Sequence, residues 1–184
     1  MWVFDGLFSD YGERLEYEGS ELYYKPPVTK EEASKMGDYL KSKGFFGGNR
    51  KTVQLTKEGD NYALRMVGKP GVDSDEQMLK SVRASTYDLS ANVFPGVRVD
   101  IHICDDRLKT LKVVDGKAVR KKDYGDNYIL YTAEVTEEEV KAVVDHVTAL
   151  KMIDWIPEFL MEKAGENVVI KVVGSDGAKE DAAF

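Results

Sequence analysis

One segment occurs twice in this chain, and it constrains the fold more than any other feature. Tyr24-Lys-Pro-Pro-Val28-Thr29-Lys-Glu31-Glu32-Ala33 is echoed by Tyr131-Thr-Ala-Glu-Val135-Thr136-Glu-Glu138-Glu139-Val140. Each copy follows a short apolar run, Leu22-Tyr23 or Ile129-Leu130, and each leads into a helical pattern. Such an echo indicates a strand-to-helix unit used twice. In the first copy the Thr29 hydroxyl is placed to accept from the N–H three residues on, and Glu32 to reach back to the cap's own N–H. Val28 and Ala33 then supply a hydrophobic staple. Ala33, Met36, Gly37 and Leu40 recur at helical spacing as a buried stripe, and Gly44 stops the helix.

The remaining pattern is rich in strands. Leu15–Tyr17 and Leu22–Tyr24 flank Glu18-Gly19-Ser20 as a small hairpin. Phe45–Asn49 reads as a turn with an aromatic anchor. Val53 and Leu55, then Tyr62, Leu64 and Met66, alternate with polar residues around Glu58–Asn61, a hairpin with one buried face. Asp73 with Glu76 repeats the capping logic for a helix from about Ser74 to Asn92, with Met78, Val82, Leu89 and Val93 on one side. Val97, Val99, Ile101 and Ile103 alternate with Arg98, Asp100 and His102, a clean strand signal. Leu108–Val114 reads as another strand, and Asp115-Gly116 as a type I′ turn into Lys117–Arg120. Beyond it the pattern gives a strand (Tyr128–Thr132), a helix from Glu137 with Val140, Val143, Val144, Val147 and Leu150 as its stripe, a segment from Trp155 with Pro157 opening a short helix, and a strand (Val168–Val173).

The order is β-α-β-β-α-β-β, ferredoxin-like in its elements, followed by β-α-(α)-β. Hairpins outnumber crossovers, so the expected class is α+β, a mainly antiparallel sheet with helices packed on one face. The expected organisation is an aromatic N-terminal segment, residues 1–11, then a single domain over 12–173 with unequal halves, 12–114 and 124–173. A disordered tail over 174–184 completes it.

Composition removes several functions. A net charge of −7 over 184 residues argues against a nucleic-acid binder, which needs surplus Lys and Arg on one face. The densest basic run, Lys117, Arg120, Lys121 and Lys122, is followed at once by Asp123. One cysteine, Cys104, excludes an internal disulfide and any multi-cysteine zinc site. No run approaches the ~20 apolar residues of a membrane span. The aromatic start around Trp2, Phe4 and Phe8 lacks the pattern of a signal peptide. It reads as a segment packed on the domain, or as the stub of a longer apolar stretch that would tether the protein to a membrane. The compartment stays open between cytoplasmic and membrane-tethered.

Chemistry concentrates at His102-Ile103-Cys104-Asp105-Asp106. Alternation puts His102 and Cys104 on the same strand face, and an imidazole beside a thiol with two carboxylates suits a nucleophile or a metal site. The plainer reading is a polar turn after a strand, with Cys104 packed at the sheet end. His146 lies off its helix's apolar stripe and reads as a surface residue. Gly44, Gly47 and Gly48 beside Asn49 suggest a phosphate loop, but the loop leaves a helix instead of opening one. The acidic pairs sit in first helical turns, where the helix dipole accounts for them. Asp73–Glu76 lacks the spacing of a calcium loop. No dinucleotide, Walker, Gly-x-Ser-x-Gly or His-Glu-x-x-His pattern occurs, so no cofactor is expected. Tyr17, Tyr23 and Tyr24 are the candidate interaction residues, because alternation leaves Tyr23 or Tyr24 exposed.

The runs Gly12–Tyr24, Val28-Thr29, Gly37–Leu40, Gly44–Phe46, Lys51–Leu55, Asp88–Phe94 and Cys104–Leu111 together resemble an uncharacterised bacterial domain family over residues 12–114. That resemblance implies no activity. It implies a hydrophobic segment before the domain, which suits the stub reading of Trp2–Phe8. Residues after about Tyr124 are not covered by it. The chain is thus expected to be a soluble, non-enzymatic binding or assembly module with a protein partner or itself. The rivals are a small enzyme or metal protein using His102, Cys104, Asp105 and Asp106, and the soluble part of a membrane-tethered protein.

Overall fold

The computed structural model describes residues 11–124, 127–150 and 159–172. The chain divides into two compact units. The first holds the described residues up to Ser74 together with Asp100–Asp115, and the second holds Asp75–Val99 and the described residues from Gly116 onward.

The first unit begins with the expected hairpin, β1 (Glu13–Tyr17) and β2 (Ser20–Tyr24). Helix α1 (Lys30–Ser42) follows, then the hairpin β3 (Thr52–Glu58) and β4 (Asn61–Val67). Strands β5 (Val99–Cys104) and β6 (Thr110–Val114) complete a six-stranded sheet in the order β1-β2-β3-β4-β5-β6. α1 carries the chain from β2 to a parallel partner, β3, with Leu22 opposite Val53, Tyr23 opposite Gln54 and Tyr24 opposite Leu55. Its ends are as the sequence predicts. Thr29 and Glu32 form a capping box, with Glu32 N to Thr29 Oγ1 at 3.2 Å and Thr29 N to Glu32 Oε2 at 2.8 Å. Gly44 turns at φ +72°, so its N–H donates to Lys41 O and that of Phe45 to Leu40 O, closing the helix.

In the second unit, β7 (Val119–Tyr124) and β8 (Asn127–Thr132) form a hairpin, and α3 (Glu137–Ala149) crosses to β9 (Phe159–Ala164), which turns into β10 (Asn167–Val172). β8 and β9 are parallel, and the sheet order is β10-β9-β8-β7. The pairing therefore follows that of β1 to β4. Matched residues carry the same contacts. The capping-box glutamate of α1, Glu32, accepts from Lys57 Nζ on β3 at 2.6 Å. That of α3, Glu139, accepts from Lys163 Nζ on β9. Lys57 stands two residues beyond the partner of Tyr24, and Lys163 two beyond the partner of Tyr131. The turns that follow both hold a glycine at positive φ, Gly59 at +64° and Gly165 at +65°, and both hairpins close on an asparagine, Asn61 and Asn167.

α3 covers one face of its sheet, where Ile129, Tyr131, Phe159 and Met161 meet Val135, Val140 and Val144. Helix α2 (Glu76–Asn92) belongs to this unit and covers the other face. There Ala91 packs on Val119, Leu130 and Leu160, with Tyr87 and Tyr128 alongside. Buried Ser90 ties α2 to β7, accepting from Val119 N at 2.9 Å and donating to Val97 O at 2.7 Å.

The α+β class holds, and several details differ from expectation. The strands divide between two sheets. Phe159–Ala164, expected within the segment from Trp155 to Ala164 that Pro157 would open as a short helix, is a strand, because its Phe159 and Met161 fill the α3 core. α2 is capped by Asp75, whose side chain accepts from Met78 N at 3.0 Å, and not by Asp73, which lies in a preceding 3₁₀ turn, Val72–Ser74. Its buried side is Thr86, Leu89, Ser90 and Ala91, while Met78 is 44% exposed. Leu150 is 54% exposed beyond the end of α3. Asp115-Gly116 closes no hairpin: β6 pairs with β5 and β7 with β8, so the chain passes there from one sheet to the other. Gly116 is required by crowding, since a Cβ would stand 2.1 Å from Val99 O. The aromatic start, the short helix at Pro157 and the tail lie outside the described residues.

Gly37 is a second crowded glycine. The Tyr17 ring lies flat on the backbone of α1, stacked on Phe46 at 5.2 Å, with its hydroxyl donating to Ser34 O at 3.2 Å. A Cβ on Gly37 would meet Tyr17 Cζ at 2.2 Å. In an open helix Gly→Ala gains about 1 kcal/mol. Here overpacking costs about 1–3 kcal/mol and reverses the sign. Urea denaturation should show Gly37→Ala destabilising in the native background and stabilising once Tyr17→Ala has removed the ring. A gain in both backgrounds would contradict this packing.

Candidate functional site

The first unit presents one sheet face to α1 and leaves the other without a helix among the described residues. Tyr17 contacts α1, so its cross-strand neighbours place Leu22, Tyr24, Val53 and Leu55 on the α1 face. Tyr23, Gln54, Thr56 and Arg65 then belong to the opposite face. In the second unit the positions matching Tyr23 and Gln54 are Leu130 and Leu160, both under α2.

Two hollows occupy this part of the first unit. The larger, a cleft of about 850 Å³, has Tyr11, Tyr23 and Phe45 on its walls with Val67, and Arg50, Lys51 and Lys69 around them. The smaller, about 380 Å³, is lined by Lys25, Gln54, Thr56, Arg65 and Arg107. Tyr11 and Leu108 border both. The Tyr11 ring rests on Tyr23 at 5.7 Å, and its carbonyl accepts from Gln54 Nε2 at 2.8 Å. Leu108 is buried at φ +59°, a left-handed backbone unusual for a leucine. The Asp105 carboxylate stabilises that turn by accepting from the N–H groups of Arg107 at 3.0 Å and Lys109 at 2.9 Å.

Charge beside the cleft is organised by Glu21. This carboxylate is 7% exposed and binds two guanidiniums, Arg50 at 2.7 Å and Arg14 at 2.9 Å. Burial alone would raise its pKa, but the hydrogen bonds from Arg50 and Arg14 outweigh it and hold the carboxyl below its ordinary value.

His102 and Cys104 lie beneath the same face, joined through Thr110. Arg65 Nη1 donates to Thr110 Oγ1 at 2.8 Å, and the same hydroxyl meets His102 Nδ1 at 3.2 Å. Cys104 Sγ lies 4.0 Å from the same oxygen and 3.4 Å from His102 O. The structure buries both side chains, at 6% and 0% exposure, although alternation predicts only one buried face on β5. Burial, helped by the Arg65 charge, pushes the imidazole pKa down, and burial pushes the thiol up. Both groups are therefore neutral near pH 7, the reverse of a thiolate–imidazolium pair. Asp105 is spent on its turn and Asp106 lies at the rim of the larger cleft. Among the described residues no three of His, Cys, Asp and Glu gather to hold a metal ion.

The tyrosines differ from expectation. Tyr23 and Tyr24 are 7% and 4% exposed, so neither stands out from the sheet: β2 is central and buried on both faces. The Tyr24 hydroxyl donates to Glu13 Oε2, and its pKa is raised to about 12, first by that bond and then by burial. Lys117, Lys121 and Lys122 of the basic run pair with Glu162, Asp123 and Glu137, and His146 is exposed as expected. The sequence reading missed Gln54, Thr56 and Arg65, although the alternation that marks Val53 and Leu55 as buried also assigns these three to one polar face.

The first unit is thus an α+β domain with one sheet face closed by a helix and the other hollowed. The family profile AF_1994_N, described as a family N-terminal domain, matches residues 14–116. That span exceeds half of the 184 residues, and the chain belongs to this uncharacterised family, which carries no known activity. No curated protein and no solved structure matches the chain. No helix among the described residues is long and apolar enough to cross a membrane.

The buried imidazole makes stability depend on pH. As pH falls through about 6.5, the unfolded chain protonates its histidine before the folded one does, so stability declines until the lower folded value is passed. The depressed Glu21, Glu32 and Glu162 act further down: their contribution stands above about 4.3 and is lost as pH falls through their folded values. Urea midpoints measured from pH 7.5 to 5 should fall, and His102→Gln should flatten that slope. An unchanged slope in the variant would show that another group is responsible.

Proposed function

We propose that this protein is a non-enzymatic binding module whose first unit takes an organic ligand with an apolar body into the larger cleft. The observation that carries the reading is the contrast between the two sheets. We read them as one architectural element used twice, with the second copy sealed by α2 over Leu130 and Leu160. The first copy has Tyr23 and Gln54 at the matching positions and a cleft of about 850 Å³ beside them. That volume suits a small-molecule site, typically about 300–1,000 Å³ with apolar walls and a few placed polar groups. The burial and neutrality of His102 and Cys104 support binding over catalysis.

A second reading, assembly, draws on β6. It is the last strand of its sheet, and Leu111 and Val113 are 53% and 40% exposed. An apolar edge strand of this kind invites pairing with another strand. Light scattering with size exclusion should show self-association that Leu111→Lys abolishes. A monomer at every concentration would remove this reading.

Fluorescence titration with 1-naphthol, an uncharged aromatic probe, tests the cleft. Saturable one-to-one binding is expected, weakened about tenfold or more by Val67→Glu, which sets a carboxylate on the wall at an exposed position. Cys104→Ser should leave it unchanged. Absence of saturable binding, or indifference to Val67→Glu, would sink the reading.

A further inference from the structure

We infer that the smaller hollow is a phosphate subsite, so that the ligand is an organic phosphate whose apolar body lies in the larger cleft. This rests on the cleft reading and adds the chemical class of the ligand. The chain carries a net charge of −7, yet every charged residue lining the smaller hollow is a cation: Lys25, Arg65 and Arg107. No described carboxylate pairs with Lys25 or Arg107. Arg65 binds Thr110 at 2.8 Å and, more loosely, the exposed Glu58 at 3.3 Å, which leaves further guanidinium N–H groups to donate. Gln54 spends one amide proton on Tyr11 O and keeps a second, while the Thr56 hydroxyl donates to Ala63 O at 3.5 Å.

Three cations beside the remaining Gln54 amide proton carry more positive charge than one carboxylate neutralises. A carboxylate can accept from two guanidiniums, as Glu21 does, but it brings one negative charge, whereas a phosphate monoester offers three acceptor oxygens and close to two negative charges against the three cations. A free nucleic-acid backbone fits less well, because the chain as a whole is acidic, at −7. Tyr11 and Leu108 stand in the walls of both hollows, so a single small molecule can reach from one to the other. The Asp105 turn fixes this junction, since it holds Leu108 in place and sets Arg107 at the rim.

The test compares 1-naphthol, 1-naphthyl phosphate and 1-naphthoate on the full chain by fluorescence titration, with inorganic phosphate as competitor. The naphthyl phosphate is expected to bind about tenfold or more tighter than naphthol, and to weaken as salt is raised. The double variant Lys25→Gln, Arg107→Gln should bring it to the naphthol level while naphthol binding stays unchanged. Both residues lie at least partly in solvent, and a circular dichroism melt verifies folding. Inorganic phosphate should displace the naphthyl phosphate and not naphthol. Equal binding of naphthol and its phosphate would overturn the subsite and leave the cleft standing. Naphthoate binding as tightly as the phosphate would overturn the assignment to phosphates. Failure of all three probes would remove both readings.

Discussion

The glutamate at the third position of each crossover helix closes the helix N-terminus and also reaches the strand that follows. Glu32 accepts from Thr29 N on one side and from Lys57 and Tyr62 on the other, and Glu139 accepts from Thr136 N and Lys163. A helix cap is worth about 1 kcal/mol in local terms. Its larger effect is geometric. With the cap tied to the incoming strand, the helix lies at one height on the sheet and the parallel pairing has one register. A slip of one residue would turn every buried side chain of β3 or β9 to the wrong face.

Because that device recurs, the two sheets can be compared position by position, and the differences become informative. Leu130 and Leu160 accept a helix; Tyr23 and Gln54 at the same places do not. α2 meets its sheet with small residues, Ser90 and Ala91, so that Val119 and Leu130 come close. The first unit instead spends its polar face on Glu21 between two arginines and on Arg65 between Thr110 and Glu58. Helix closure and polar hollow are alternative uses of one surface, and each follows from a handful of side chains.

The capped crossovers were legible in the sequence because they depend on local chemistry. Thr29 with Glu32, Gly44, and the stripe Ala33, Met36, Gly37 and Leu40 are each fixed by neighbours within one helical turn or two. The alternating hairpins were legible for the same reason. Partnership over distance was not. Asp115-Gly116 has the residues of a hairpin turn, yet crowding against Val99 O decides its conformation. Phe159–Ala164 opens on an apolar run followed by Glu162 and Lys163 with no clean alternation, and pairing with β8 and β10 makes it a strand. His102 alternates as an outward residue, but it is buried beside Thr110 and the Arg65 charge. The hollows combine residues from five separate stretches of chain, which no local pattern marks.

The placement of α2 has a topological consequence. It follows β4 and precedes β5 in the chain, but it packs with β7 to β9, while β5 and β6 return to the first sheet. The polypeptide thus threads alternately through two bodies, and neither body can be cut out as one continuous peptide. A fragment ending near Gly116 would retain the whole first sheet and carry a helix stripped of the surface it was shaped to cover.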